Sequence, residues 1–179
     1  PSQALRKGLL KGVKFEVPSI RPIEQQIAAA DYIIWGVIDW HFRHQRPQQL
    51  ALALINTGRR VFYISERLVD DERSGFDMEC LNVKRNLFQI KLYAKGAPQI
   101  YSSAPTIETV SQLRMSIGWL LEWANTGQLI SLIQHPFWYD IATVLPNSRV
   151  IYDCMDHHEG FGTTRAEVLS LETVLLQNA

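Results

Sequence analysis

The histidines of this 179-residue chain lie in three short parts of the sequence, beside acidic and basic residues. These parts are residues 39–46, His135 and residues 153–159, and together they hold all five histidines. Scattered histidines would rarely fall this way. Since imidazole titrates near neutral pH and binds anions or metals, the clustering predicts a functional site.

The first segment places one acid, two histidines and two arginines just before a predicted helix that begins at Pro47. Backbone N–H groups at a helix start favour an anion, and arginine binds phosphate or carboxylate in two-pronged fashion. This loop is therefore a candidate anion-binding site. The alternative is that both arginines pair with Asp39 and nearby carboxylates to hold the loop. No glycine-rich dinucleotide or Walker motif is present.

His135 and the segment 153–159 have alternative roles. His135 either acts as an acid, base or hydroxyl-binding group, or caps the turn that starts at Pro136. The carboxylates Asp153, Asp156 and Glu159, with His157, can supply a base and hydroxyl-binding groups for a polyol, or cap a helix. A metal site is disfavoured, because zinc-type spacings are missing and Asp39-Trp40-His41 is only half of a metallophosphoesterase signature.

The elements that position these residues follow from hydropathy. Apolar runs that suit buried parallel strands occur at 32–38, 61–64, 129–133 and 150–152. Helical spacing occurs after Pro47, between Ile107 and Ala124, and over about 164–177. We expect a charged loop at 66–80 and half-exposed strands at 81–83 and 88–92. The alternation predicts an α/β fold with a Rossmann-like parallel sheet flanked by helices, whose ligands bind beyond the strand carboxyl ends.

Composition excludes several classes. Eighteen basic and 18 acidic residues cancel, which removes the bulk electrostatic case for a nucleic-acid partner. The sequence contains no run of about 18 apolar residues, so we expect no membrane-spanning segment. Two distant cysteines, Cys80 and Cys154, fit a reducing compartment, so we expect a cytoplasmic protein.

Residues 1–30 are interpreted as a basic leader in which Pro18 and Pro22 disfavour one long helix. Residues 5–14 combine four cations with apolar side chains, which predicts either peripheral contact with the inner membrane face or a frayed or packed leader.

Three parts of the chain resemble bacterial glycosyltransferases of the GT-B fold, family 4 or group 1 type. The resemblance rests on Val37–Leu50, on Pro136-Phe137-Trp138, and on Tyr152–Asp156 with Glu159-Gly160-Phe161. The resemblance covers about residues 31–179. The enzymes that this part of the chain is similar to include those of teichuronic acid, capsule and O-antigen assembly.

The resemblance implies that 31–179 form the N-terminal, acceptor-side lobe and that a C-terminal donor-binding lobe is absent from this chain. It implies catalytic roles for His135 and Asp156, acceptor or phosphate binding by Asp39, His41, Arg43 and Arg46, and sugar binding by Asp153, His157 and Glu159. A nucleotide-sugar is the co-substrate and no catalytic metal is expected.

The leading hypothesis is a hexosyltransferase, with retention as the family's habit, that moves a sugar from a nucleotide-sugar to a cell-envelope glycan or lipid-linked acceptor. We expect the 179 residues alone to fold but to have no transferase activity. The alternatives are a non-catalytic carbohydrate- or partner-binding α/β domain and, less favoured, a metallophosphoesterase.

Overall fold

A computed structural model describes residues 17–24, 29–156 and 165–179. Within these ranges the chain forms six strands, four α-helices and one 3₁₀ helix. In chain order they are β1 Asp31–Trp35, α1 Arg46–Asn56, β2 Val61–Ile64, β3 Phe76–Cys80, β4 Leu87–Leu92, α2 Ile107–Ala124, β5 Leu129–Ile133, the 3₁₀ helix Pro136–Trp138, α3 Tyr139–Ala142, β6 Ser148–Tyr152 and α4 Ala166–Asn178.

The six strands form one sheet in the order β3-β4-β2-β1-β5-β6. Every pairing is parallel except that of β3 with β4. Strand order reverses direction at β1, between β2 and β5, which creates a crevice at the carboxyl ends where α/β folds bind ligands. The predicted Rossmann-like α/β fold is confirmed.

Helices cover both faces of the sheet. Helix α1 packs on one face through Ala51, with Leu50 and Leu54 alongside. Helix α2 covers the other face, burying Leu113, Ile117 and Leu120 against β1, β2 and β4. The 3₁₀ helix, α3 and α4 extend that second core through side chains that include Trp138, Ile141 and Leu175. Because a strand covered on both faces buries every side chain, such strands have the continuous apolar runs found in the sequence.

The segment between β2 and β4 corrects two predictions. Residues 76–80 form an antiparallel edge strand rather than part of a charged loop, and 81–83 belong to the following turn rather than to a strand. Phe76, Met78 and Cys80 alternate with Asp77 and Glu79, which is the pattern of a strand with one face in solvent. The surrounding charges at 66–73 obscured this period in the sequence.

The described part of the predicted leader, residues 17–24 with 29 and 30, contains no helix or strand. Hydrogen bonds fix its course: the indole Nε1 of Trp123 donates to the Pro18 carbonyl, and Ile23 N–H donates to the Arg85 carbonyl. The amphipathic stretch 5–14 lies outside the described residues. None of the helices in the described ranges has the length and apolarity needed to cross a membrane.

Candidate functional site

The loop that follows β1 is held rigidly at the carboxyl edge of the sheet. Gly36 N–H donates to the Ile64 carbonyl at 3.0 Å, and the Trp138 indole donates back to the Gly36 carbonyl at 3.1 Å. A Cβ on Gly36 would lie 2.8 Å from both the Ile64 oxygen and the Tyr63 ring. Only glycine fits here, so the direction in which the loop leaves β1 is fixed.

Asp39 is the centre of a buried network over β2 and β4. Its Oδ1 accepts the His41 backbone N–H at 3.0 Å, and its Oδ2 accepts from Gln89 Nε2 at 2.8 Å and from Ser65 Oγ at 3.2 Å. The Lys91 ammonium lies 3.4 Å from the same Oδ2. Strands β2 and β4 deliver these donors because residues two apart on a strand point to one face.

The charge state of Asp39 follows from these contacts. Burial on its own raises the pKa of the carboxyl group, but the His41 N–H, the Lys91 charge and the Gln89 and Ser65 donors outweigh burial and hold the pKa below its ordinary value. Asp39 is therefore ionised and fully engaged. Its interactions serve to fix the loop, which is the structural alternative raised by the sequence, although Lys91 rather than an arginine is the partner.

Asp153 forms a second network on the other side of β1. Arg46, at the start of α1, donates to Oδ1 at 2.5 Å, and Gln134 Nε2 donates to Oδ2 at 3.1 Å. The backbone N–H of Asp153 also bonds to the Ile133 carbonyl at 2.8 Å. The Arg46 side chain stays 60% exposed while Asp153 is buried, so the guanidinium has further donors directed to solvent.

The two networks share one arrangement. In each, a buried glutamine directs its amide N–H to a buried aspartate, since the reverse orientation would set two oxygens against each other. The Oε1 atoms of Gln89 and Gln134 are buried and have no hydrogen-bond partner among the described residues. Buried acceptors without donors are rare in native proteins and collect at functional sites.

His135 lies between the networks and is buried. Its Nδ1 accepts the Phe137 backbone N–H at 3.1 Å, so His135 caps the 3₁₀ helix, as the alternative interpretation of the sequence anticipated. In the neutral ring this bond places the proton on Nε2, which makes Nε2 a donor rather than a base. The ring also meets the edge of Tyr101 at 5.0 Å between centroids.

Tyr101 joins residues that are distant in sequence. Its hydroxyl donates to the Val37 carbonyl at the start of the loop after β1. Burial raises the pKa of Tyr101 to about 12, with help from the Glu66 and Asp156 carboxylates nearby. The phenol therefore stays protonated at neutral pH, and Asp156, whose charge acts on it, is itself exposed.

Two of the candidate phosphate ligands lie apart from this group. His41 is exposed and its Nε2 lies 2.8 Å from Glu79 Oε2 on edge strand β3. Arg43 is exposed with its guanidinium 5.2 Å from the centre of the Phe42 ring. Sugar-binding candidates His157 and Glu159 lie outside the described residues. Within the described ranges, no three or more His, Cys, Asp or Glu side chains are grouped as metal ligands.

Sequence reasoning missed Tyr101, Gln89 and Lys91. Tyr101 sits in a Pro-flanked loop, where nothing in the local pattern marks it. A glutamine within the apolar run Leu87–Leu92 was an available sign, because an uncharged polar residue in a strand buried on both faces requires a partner.

Comparisons with protein-family models, with curated proteins and with solved structures find no match for this chain.

Proposed function

We propose that this chain is the acceptor-side lobe of a glycosyltransferase that moves a sugar from a nucleotide-sugar to a cell-envelope glycan or lipid-linked acceptor. The observation that carries the proposal is that the segments resembling that family, far apart in sequence, are in direct contact. Arg46 of the first bonds to Asp153 of the third, and Trp138 of the second bonds to Gly36 beside the first.

The place where they meet suits sugar transfer. The crevice at the strand carboxyl ends offers donors from Arg46 and acceptors from Asp156, and hydroxyl-rich ligands need both kinds of group. The exposed Arg46 guanidinium group supplies positive charge for a leaving diphosphate. In the transfer itself, an acceptor hydroxyl oxygen bonds to the anomeric carbon as the carbon–oxygen bond to the diphosphate breaks.

Individual roles follow from protonation states. Asp156, exposed and ionisable, takes the proton that the acceptor hydroxyl loses. His135 orients rather than deprotonates, because its Nδ1 accepts from Phe137 and its proton is therefore on Nε2. A nucleotide-sugar is the co-substrate, and no step in this scheme requires a metal.

A non-catalytic carbohydrate-binding lobe is the second candidate, and the capping role of His135 favours it. Both candidates use the same crevice, but only the transferase requires affinity for a nucleotide-sugar. The discriminating ligands are therefore UDP-, GDP- and dTDP-sugars against neutral oligosaccharides.

The experiment is thermal unfolding of the protein extended to include the proposed donor-binding lobe, in the presence of each ligand class, comparing Arg46→Gln with Arg43→Gln. These arginines are both exposed and lie in one loop, but only Arg46 bonds to Asp153. Stabilisation by one nucleotide-sugar that Arg46→Gln weakens more than Arg43→Gln supports the transferase. Stabilisation by oligosaccharides alone supports the binding lobe, and no stabilisation by either class contradicts both.

A further inference from the structure

The opposite end of the sheet, where the parallel strands begin, carries exposed apolar and basic side chains side by side. The turn from β3 to β4 presents Val83, whose surface is 99% exposed, followed by the exposed Lys84 and Arg85. Ile23, 45% exposed, and Arg59 lie against the same turn. We call Ile23, Arg59, Val83, Lys84 and Arg85 the amino-end patch.

Hydrogen bonds make the amino-end patch one continuous surface. Ile23 N–H donates to the Arg85 carbonyl at 2.9 Å, which ties the segment 17–24 to the turn. Asn86 Nδ2 donates to the Arg59 carbonyl at 3.0 Å, which ties the end of α1 to the same turn. Three separate parts of the chain therefore present their side chains together.

The turn is fixed rather than loose. Asn82 and Asn86 bond through their side chains at 2.6 Å, and Arg85 N–H donates to the Asn82 carbonyl at 3.2 Å. Arg85 has φ of 53°, a left-handed conformation that arginine rarely adopts. The fold thus holds a strained turn whose apex directs an aliphatic side chain straight into solvent.

The charges of the amino-end patch are unbalanced. Among the described residues, Arg59, Lys84 and Arg85 form no ion pair, and Glu24 lines the same cavity as Arg59 and Lys84. Unpaired cations favour an anionic partner. An aliphatic apex between cations further favours a partner with an apolar layer beneath its charged surface.

We propose that the amino-end patch docks this protein on an anionic lipid bilayer, with Val83 and Ile23 entering the interface and the three cations contacting lipid phosphates. A nucleic acid would satisfy the cations but would leave Val83 and Ile23 without an apolar environment. The proposal is independent of the proposed function, and it involves described residues rather than the stretch 5–14.

The orientation follows from the strand direction. The patch and the crevice lie at opposite ends of strands about 17 Å long, so a docked protein turns its crevice away from the lipid. An acceptor attached to lipid would then need a glycan long enough to reach over the sheet.

The test is co-sedimentation of the whole chain with vesicles of phosphatidylcholine alone and of equal parts phosphatidylcholine and phosphatidylglycerol. We expect binding to the anionic vesicles only, weakening as salt is raised. Val83→Ser should lower affinity about tenfold through lost apolar burial. The double variant Lys84→Gln with Arg85→Gln should lower it about twenty-fivefold.

Matched controls come from the other end of the sheet. Ile107, 85% exposed at the start of α2, and the exposed Lys95 resemble Val83 and Lys84 in type and exposure. Ile107→Ser and Lys95→Gln should leave vesicle binding unchanged. Equal loss in patch and control variants, or full binding by the patch variants, overturns the proposal. So does a patch that binds a single-stranded oligonucleotide but no vesicle, or a wild-type chain that binds neither.

Discussion

The two ends of the sheet differ in whether their exposed cations form ion pairs. At the carboxyl end, five cations are matched with carboxylates, in the pairs Arg46–Asp153, Lys91–Asp39, Arg67–Glu66, Arg73–Asp71 and Lys95–Glu72, whereas Arg43 lies over the Phe42 ring. At the amino end, the surface cations Arg59, Lys84 and Arg85 pair with no carboxylate among the described residues. Our two proposals use this difference: the first end would fix geometry for a small ligand, whereas the second would present charge to an extended surface.

The amino end also contains the most buried ion pair. Arg60 donates to Asp31 through Nε at 2.7 Å and Nη2 at 2.5 Å, and its Nη1 donates to the Ile23 carbonyl at 3.0 Å. Both side chains are almost completely buried. This pair joins the starts of β1 and β2 and anchors the segment that carries Ile23 into the amino-end patch.

The largest expected effect comes from breaking that pair. Arg60→Ala leaves the Asp31 carboxylate buried without its partner, and we expect a loss of about 4 kcal/mol in the free energy of unfolding by urea. The double variant Asp31→Leu with Arg60→Met removes both charges and should be less destabilised. A double variant as unstable as Arg60→Ala would contradict this interpretation of the pair.

The next effect comes from the fixed loop at the carboxyl end. Gly36→Ala puts a methyl group 2.8 Å from the Ile64 carbonyl oxygen, and we expect a loss of about 2 kcal/mol in urea unfolding. Adding Tyr63→Phe removes the hydroxyl contact and the hydroxyl's hydrogen bond to the Ile38 carbonyl but leaves the Ile64 oxygen and the ring in place, so it should not rescue stability. If stability were rescued, the Tyr63 side chain, and not the Ile64 backbone carbonyl, would be the group that excludes a Cβ at position 36.

Asp39 offers a smaller effect with a pH dependence. Asp39→Asn weakens a network of four donors, and we expect a loss of about 1.5 kcal/mol near neutral pH. Because the pKa of Asp39 is lowered in the folded protein, its contribution is complete above the unfolded value of about 3.9 and disappears as pH falls through the folded value. The gap between wild type and variant should therefore narrow below about pH 4. The exposed Asp156→Asn is the control, and a gap independent of pH contradicts the assignment.

The smallest effect on stability concerns Arg46. Its side chain is 60% exposed, so Arg46→Gln should cost less than about 1 kcal/mol in unfolding while it reduces ligand stabilisation. Circular dichroism and ligand titration separate these quantities. Equal stability and unchanged ligand response would remove Arg46 from the site.

The hydrophobic pattern of the sequence predicted helices and strands correctly in segments where a single hydrophobic period dominates. The apolar runs of β1, β2 and β5 and the helical spacing of α2 were confirmed, because burial on both faces or on one stripe leaves a clear period. The run at 150–152 does form strand β6, but β6 lies at the sheet edge with Ile151 47% exposed, so the prediction that it is buried was wrong. An Asn-Thr-Gly triplet ends both α1 and α2, at 56–58 and 125–127, and Gly58 and Asn125 adopt the positive φ that ends a helix. Strand β3 was missed because flanking charges concealed its alternation.

The site was predictable only in part. Position after strand ends identified Asp39, His135 and Asp153, because parallel strands share a carboxyl edge. Their partners, such as Lys91 for Asp39, depend on the strand order, which local pattern does not specify. The amino-end patch was missed for another reason. The net charge of zero is a sum over the whole chain, so it does not show that cations are paired at the carboxyl end and unpaired at the amino end. In addition, residues 81–83 were predicted to form a strand and not an exposed turn.

The central claim is that small ligands bind at the carboxyl end of this sheet. The most direct measurement is an amide chemical-shift map of the 179-residue chain titrated with nucleotide-sugars and oligosaccharides. The account predicts shifts confined to the loop after β1, to Glu66 and Tyr101, and to the ends of β5 and β6. Shifts concentrated in the amino-end patch, or along the outer face of α2 around Met115, would contradict it.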